Sequence, residues 1–260
     1  MKRVNFYILY ELKLVMVRKM TLCMVIQCTD GILIASDSRT VYGRGVPISR
    51  DTNKIHIIEH KGLVGGKIAV VGAGTVAFID KFIRMFRGTD FEEIARDAGL
   101  DKLNLYYAMN KIAEPIASTL YKEYVEGRKV VKEEETFQAI IAGFEQEGIP
   151  DAFILYSFGL AEPVDDFGAI GSGAAYAELF LRYLLPSERK IESVIKPACY
   201  TIRLVGTIDP FVGGKMNLVS ISQQGVKDVS DQAVELPEKI SHEALKCSMN
   251  ALKDFLSREG

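Results

Sequence analysis

The chain has 260 residues, 48% hydrophobic and 25% charged, with a formal net charge of −2. This is an ordinary globular composition, long enough for one large core or two small domains, and it lacks the basic field that nucleic acid or an anionic membrane would call for. Cys23, Cys28, Cys199 and Cys247 show no CxxC spacing, and the three histidines form no paired motif. That argues against a disulfide framework, a metal centre or a cofactor site, and fits a reducing, cytoplasmic setting where cysteine is a small apolar filler.

The first segment, MKRVNFYILYELKLVMVRKM, begins with basic residues, as a secretory signal does. Glu11 and Lys13 interrupt its apolar stretch and no A-x-A-like cleavage site follows. No run elsewhere approaches the ~18 to 20 apolar residues of a membrane span. Residues 1–20 therefore read as a leader, a pro-segment, an interfacial helix or an extension upstream of a chain that starts at Met20. Next, Leu22 to Cys28 and Ile32 to Ala35 flank Thr29-Asp30-Gly31, and Asp-Gly between apolar runs predicts a hairpin. Its return leg brings Asp37 back beside Thr21, so a hydroxyl and a carboxylate share one end of a sheet.

Lys54 to Ile58 and Lys67 to Val71 predict two more strands, joined by a glycine-rich link at Lys61 to Gly66. From Thr75, a candidate cap, Val76, Ile79, Phe82, Ile83 and Phe86 recur at helical spacing, and Gly88 ends the helix. Leu103 to Tyr124 predicts a second helix with Pro115 as a candidate kink. The charged run Lys129 to Glu135 reads as a solvated loop. Phe137 to Phe144 and Ala152 to Tyr156 predict a strand pair, and Ala174 to Leu185 a helix after Gly171-Ser172-Gly173. A further helix is expected within Ser187 to Thr207, a strand at Met216 to Ser222 and a closing helix at Ser241 to Ser257. Strands and helices come in blocks with hairpin links, which favours α+β with mainly antiparallel sheets and outer helices.

Gly72-Ala73-Gly74-Thr75-Val76-Ala77 nearly matches the dinucleotide fingerprint G-x-G-x-x-G/A between a strand and a helix. The acidic position ~20 residues on falls in the helical Phe91-Glu92-Glu93-Ile94, and the neighbouring strands read as hairpins. A tight strand-to-helix turn is the simpler reading. Thr21 asks for a different chemistry. A threonine hydroxyl is a poor nucleophile without a base, and a residue that begins a chain carries one in its own α-amine, with a pKa of about 7.7 to 8. A neighbouring lysine lowers that value further; Lys54 is the candidate, with Asp37 to hold it.

Thr21 through Arg39 resembles the opening of proteasome β-type subunits, which are N-terminal-nucleophile hydrolases. The spacing from threonine to the Asp-Gly turn and on to Asp37 matches without a gap. Lys54 matches the family's catalytic lysine with one inserted residue, and Ala73-Gly74 the turn whose glycine NH helps form the oxyanion hole. Ile170-Gly171-Ser172-Gly173 resembles the Gly-Ser-Gly turn whose serine assists the amine. Asp209-Pro210-Phe211-Val212-Gly213-Gly214 resembles the Asp-Ser-x-Ser-Gly-Gly segment whose aspartate joins the network. The likeness runs from Thr21 to about residue 240.

The resemblance implies a four-layer α-β-β-α sandwich over residues 21–260 as one domain, and by family habit a homo-oligomer, in the form of a ring. It implies a threonine protease on peptide or protein substrates, with Thr21, Asp37, Lys54, Ser172 and Asp209 catalytic, Gly74 at the oxyanion, and no cofactor. Thr40 and Val76 border the first specificity pocket by position and hint at modest apolar character. Three departures stand out. Val212 replaces the family's second serine, the loop Glu59 to Lys67 is longer, and Met20 stands where autoprocessed subunits usually carry glycine. The last one suggests Met20 as initiator, removed by an aminopeptidase because threonine is small. A retained leader would turn the amine of Thr21 into an amide. Two alternatives therefore stay open: a non-catalytic ring or scaffold subunit, and a non-proteasomal amidase or peptide ligase.

Overall fold

The computed structural model describes residues 21–42, 48–123 and 137–233. The leader, the charged run at Lys129 to Glu135 and the expected helix at Ser241 to Ser257 lie outside the described residues. The chain opens with β1 (Leu22–Cys28) and β2 (Gly31–Asp37), then β3 (Arg39–Tyr42), β4 (Ile48–Asp51), β5 (Ile55–Glu59) and β6 (Lys67–Gly74). Helices α1 (Val76–Arg87), α2 (Phe91–Asp97), α3 (Leu105–Ala108) and α4 (Glu114–Tyr121) come next. After β7 (Phe137–Gln146), β8 (Ile149–Tyr156), β9 (Ala161–Pro163) and β10 (Phe167–Gly171) come α5 (Ala174–Leu184) and α6 (Ile191–Ile208). Then come β11 (Met216–Ser222) and β12 (Gly225–Asp228), and the described chain closes on a 3-10 turn, Ser230–Gln232.

The strands form two five-stranded sheets, ordered β10-β1-β2-β11-β12 and β5-β6-β7-β8-β9, with a small β3-β4 ribbon beside them. Every strand pair within them is antiparallel. Side chains on a strand alternate between faces, and here both faces are apolar. In β1, Leu22, Met24 and Ile26 join the core under α5 and α6, while Cys23 and Val25 enter the core between the sheets. In β6, Ile68 and Val70 face α1 to α4, and Ala69, Val71 and Ala73 face the other sheet. Continuous apolar strands thus glue the sheets face to face and leave each outer face for helices, which is the four-layer α-β-β-α sandwich.

The helical layers differ in kind. One is aromatic: Phe82 packs 5.3 Å from Phe137, and Phe86 meets Phe91 edge-on at 5.4 Å, arrangements favoured by the ring quadrupoles. The sequence predicts one helix over Leu103 to Tyr124 kinked at Pro115, of which residues 103–123 are described. Instead a π-turn, Met109–Ala113, separates α3 from α4, with Glu114 N–H donating to the Met109 carbonyl five residues back. Pro115 stands in the first turn of α4, where its missing N–H costs least.

Candidate active site at the opening of the first strand

Register brings the site together. Cys23 pairs with Ser36 across the β1-β2 hairpin, so the next step toward the strand end sets Leu22 beside Asp37. Asp37 is fully buried, and each of its oxygens is used. Its Oδ1 accepts the Thr21 hydroxyl at 2.7 Å, the Leu22 N–H at 3.0 Å and the Lys54 ammonium at 2.6 Å. Its Oδ2 accepts the Gly213 N–H at 3.0 Å. Lys54, just ahead of β5 in the other sheet, also donates from Nζ to the Thr21 hydroxyl. A buried charge pair is tolerated only when its remaining hydrogen-bonding capacity is met, and here four donors serve one carboxylate. The Thr21 oxygen lies between an anion that takes its proton's hydrogen bond and a cation that stabilises charge left on it.

Thr21 is held from its other side by the turn after β10. Gly171 pairs with Leu22, has φ +102°, and a Cβ there would stand 2.2 Å from the Thr21 carbonyl oxygen. Only glycine allows this approach. That carbonyl accepts the Ser172 hydroxyl and the Gly173 N–H, each at 3.4 Å. Ser172 thus reaches Thr21 through its main chain. Asp209 does not reach it. It caps α6, and its carboxylate accepts the Phe211 N–H at 2.9 Å, a turn closed over Pro210. Val212 is buried against Val205 and Gly173, so the departure noted in the sequence puts an apolar contact at this position.

Sequence reasoning assigns Arg39 no role. Its Nη1 donates to the carbonyls of Pro210, at 2.7 Å, and Val212, at 3.3 Å. The Ser38 and Arg39 N–H groups both donate to the Gly213 carbonyl. Arg39 therefore holds the loop whose Gly213 N–H fixes Asp37. No periodicity signals such a clamp; the adjacent Gly213-Gly214 pair was the one local hint.

A cleft of about 170 Å³ opens at Thr21 and is lined also by Lys54, Gly74, Thr40 and Val76. Gly74 has φ +121° and hands β6 over to α1. The cleft also takes in Thr52, His56, Ile79 and Asp80, which sequence reasoning missed. Thr40 and Thr52 are joined hydroxyl to hydroxyl at 2.6 Å, so the wall is more polar than expected. The glycine-rich Gly72-Ala73-Gly74 belongs to this cleft and to a strand with antiparallel neighbours on both sides. A dinucleotide fold needs parallel ones.

Burial lowers the His56 pKa below its ordinary 6.5; the charge of Arg87 lowers it further and Asp80 partly offsets the shift. Between the lowered value and 6.5 the unfolded chain binds more protons than the folded one. Stability conferred by neutral His56 is therefore present above pH 6.5 and is lost as pH falls through that window. The urea midpoint of the wild type is expected to fall more steeply below pH 6.5 than that of His56→Gln. Parallel curves would refute it.

Comparison with known proteins speaks to the family and the fold. A family model described as "Proteasome subunit" matches residues 17–221. The chain is 26% identical over 214 residues to proteasome subunit beta 1 of Thermococcus onnurineus, covering 81% of this chain and 92% of that one. Proteasome subunit beta 1 of Thermococcus kodakarensis is 28% identical over 212 residues, with the same coverage. Among solved structures, Anbu (ancestral beta-subunit) from Yersinia bercovieri superposes with a TM-score of 0.63 at 15% identity, over 90% of this chain and 96% of that one. The helical assembly of the Anbu complex from Pseudomonas aeruginosa gives 0.64 at 17% identity, over 92% and 96%. The likeness to these structures carries the fold, and the matched sequence carries the kinship: the chain belongs to the proteasome subunit family, as a β-type subunit.

Proposed function

We propose that the protein is a threonine-type amide-bond hydrolase, a cytoplasmic endopeptidase that works as a homo-oligomer on peptide or protein substrates. The observation that carries this reading is the Thr21 hydroxyl shared between the buried Asp37 carboxylate and the Lys54 ammonium at the mouth of a cleft. With the chain cut after Met20, the Thr21 amine is free and accepts the proton as Oγ1 attacks the substrate carbonyl. Lys54 stabilises charge on the attacking oxygen, and Asp37 orients Lys54. The Gly74 N–H donates to the oxyanion, a contact worth about 3 kcal/mol in other enzymes. Collapse of the tetrahedral intermediate breaks the C–N bond, and the leaving amine takes the proton. Water then hydrolyses the ester on Thr21; an amine in its place would make the protein a ligase. Ser172 steadies the main chain of Thr21, and Asp209 shapes the loop behind it.

A second reading, a non-catalytic subunit with its leader retained, draws on Val212 and on the Asp209 carboxylate turned to Phe211. One experiment separates the two. Intact mass and N-terminal sequencing of the purified assembly are run beside hydrolysis of a fluorogenic peptide panel. The hydrolase reading expects a chain that begins at Thr21 and turns over peptide. A chain that begins at Thr21 in an assembled particle, yet cleaves nothing, overturns it.

A further inference from the structure

Behind the loop that fixes Asp37 lies a second opening, which shares no lining residue with the cleft at Thr21. It holds about 90 Å³ between the last turns of α6 and that loop, and is lined by Arg39, Arg203, Thr207, Val212, Gly213 and Gly214. Its walls are close-set because glycine forms them. A Cβ on Gly213 would stand 2.7 Å from the Arg39 guanidinium, and one on Gly206 would stand 3.2 Å from the Val212 carbonyl oxygen. A larger cavity of about 600 Å³ shares Arg203 and Gly214 with it and runs on past Asp51, Lys215 and Asp231.

Arg203 is the group whose presence the fold leaves unexplained. It is half-buried on α6, its Nε is sealed from solvent, and that nitrogen has no hydrogen-bond partner among the described residues. The ion pairs among the described residues do not include it. Arg39 holds the loop through Nη1, which donates to the Pro210 and Val212 carbonyls. The Thr207 hydroxyl gives its proton to the Leu204 carbonyl at 2.7 Å. Among the described residues no carboxylate lines the smaller cavity. Asp51 and Asp231 lie along the larger one, and Asp209 turns to the Phe211 N–H.

Two guanidinium groups on one small cavity repel each other, and a buried N–H without a partner costs free energy. A water molecule would satisfy the N–H and leave the like charges facing one another. An oxyanion answers both needs, because the planar guanidinium fork matches its oxygens. We propose that this cavity is an anion site, taking a small oxyanion, a phosphate or a carboxylate, between Arg203 and Arg39. The bound anion joins α6 to the arginine that clamps the Gly213 loop. The inference does not depend on the hydrolase reading.

The test is thermal unfolding of the assembled protein, at one protein concentration, against phosphate, sulfate, acetate and chloride at matched ionic strength. At ten times its dissociation constant a bound oxyanion raises Tm by about 3 to 6 °C, along a curve that saturates. Phosphate and sulfate also stabilise proteins by exclusion from their surface, but that rise does not saturate and is shared by every variant. Arg203→Met keeps an apolar stem and removes the fork, so the saturating part disappears. Arg203→Lys keeps the charge without the fork and moves the midpoint up about tenfold. Saturation by acetate marks the ligand as a carboxylate, such as a peptide terminus; saturation by phosphate or sulfate alone marks it as an inorganic anion. Chloride should give no saturating rise. The site is overturned if no oxyanion saturates, or if a saturating rise persists in Arg203→Met. Should Arg203→Met fail to fold, an unchanged midpoint in Arg203→Lys overturns it equally.

Discussion

Thr21→Ala is expected to lower peptide hydrolysis by about 10⁴-fold or more, the scale seen when a nucleophile is deleted. The fold should persist. The alanine variant loses one hydrogen bond to Asp37, whose Oδ1 keeps those from Leu22 and Lys54, a net cost of about 1 kcal/mol. Thr21→Ser keeps the oxygen and the amine and loses only the methyl group that stiffens χ1. It should therefore retain measurable turnover where alanine retains none. Steady-state rates on one peptide, with circular dichroism and particle size as controls, read the result. Alanine turning over at a tenth of the wild-type rate or better would remove Thr21 as the nucleophile.

Lys54→Met should act on both stability and rate. It leaves the fully buried Asp37 carboxylate without its cation, and breaking a buried pair from one side costs about 3 to 5 kcal/mol. The double variant Lys54→Met/Asp37→Leu removes both charges and should recover much of that loss, because the desolvation of each ion disappears with it. Neither variant should hydrolyse peptide, since the Thr21 oxygen loses the cation that stabilises it. Urea unfolding of both singles and the double, in the same oligomeric state, gives the coupling. A single variant within about 1 kcal/mol of wild type would mean that the pair is not buried as described.

The fold was legible where pattern and packing agree. Asp30-Gly31 announced the opening hairpin, Met216 to Ser222 was read to the residue, and α1 followed from Phe82, Ile83 and Phe86. Short elements escaped. β3 and β4 hold Arg39, Thr40, Arg50 and Asp51, too polar and too brief to alternate, and β10 ends in the glycine-rich run that reads as a turn. The π-turn left no trace either, because a five-residue backbone step barely disturbs the apolar face of Leu105, Ala108 and Ile112. Within the site, Thr21, Asp37 and Lys54 could be named because strand ends and spacing bring them together. The Asp209 contact could not, since a carboxylate beside proline has its own backbone turn as a nearer partner. His56 and Asp80 needed the cleft itself to be seen.

Cys23 lies at the heart of this arrangement, buried between the sheets, its thiol donating to the Gly72 carbonyl at 3.6 Å. Burial pushes its pKa up to about 12, with Asp37 adding to the rise and Lys54 and Thr21 opposing it. Sulfur is intrinsically the better nucleophile, but only as thiolate, and this sulfur keeps its proton. An electrophile that enters the cleft therefore meets no thiolate at Cys23. Thiol-selective alkylating agents leave the centre untouched, so an inhibitor that blocks the cleft does so without this sulfur.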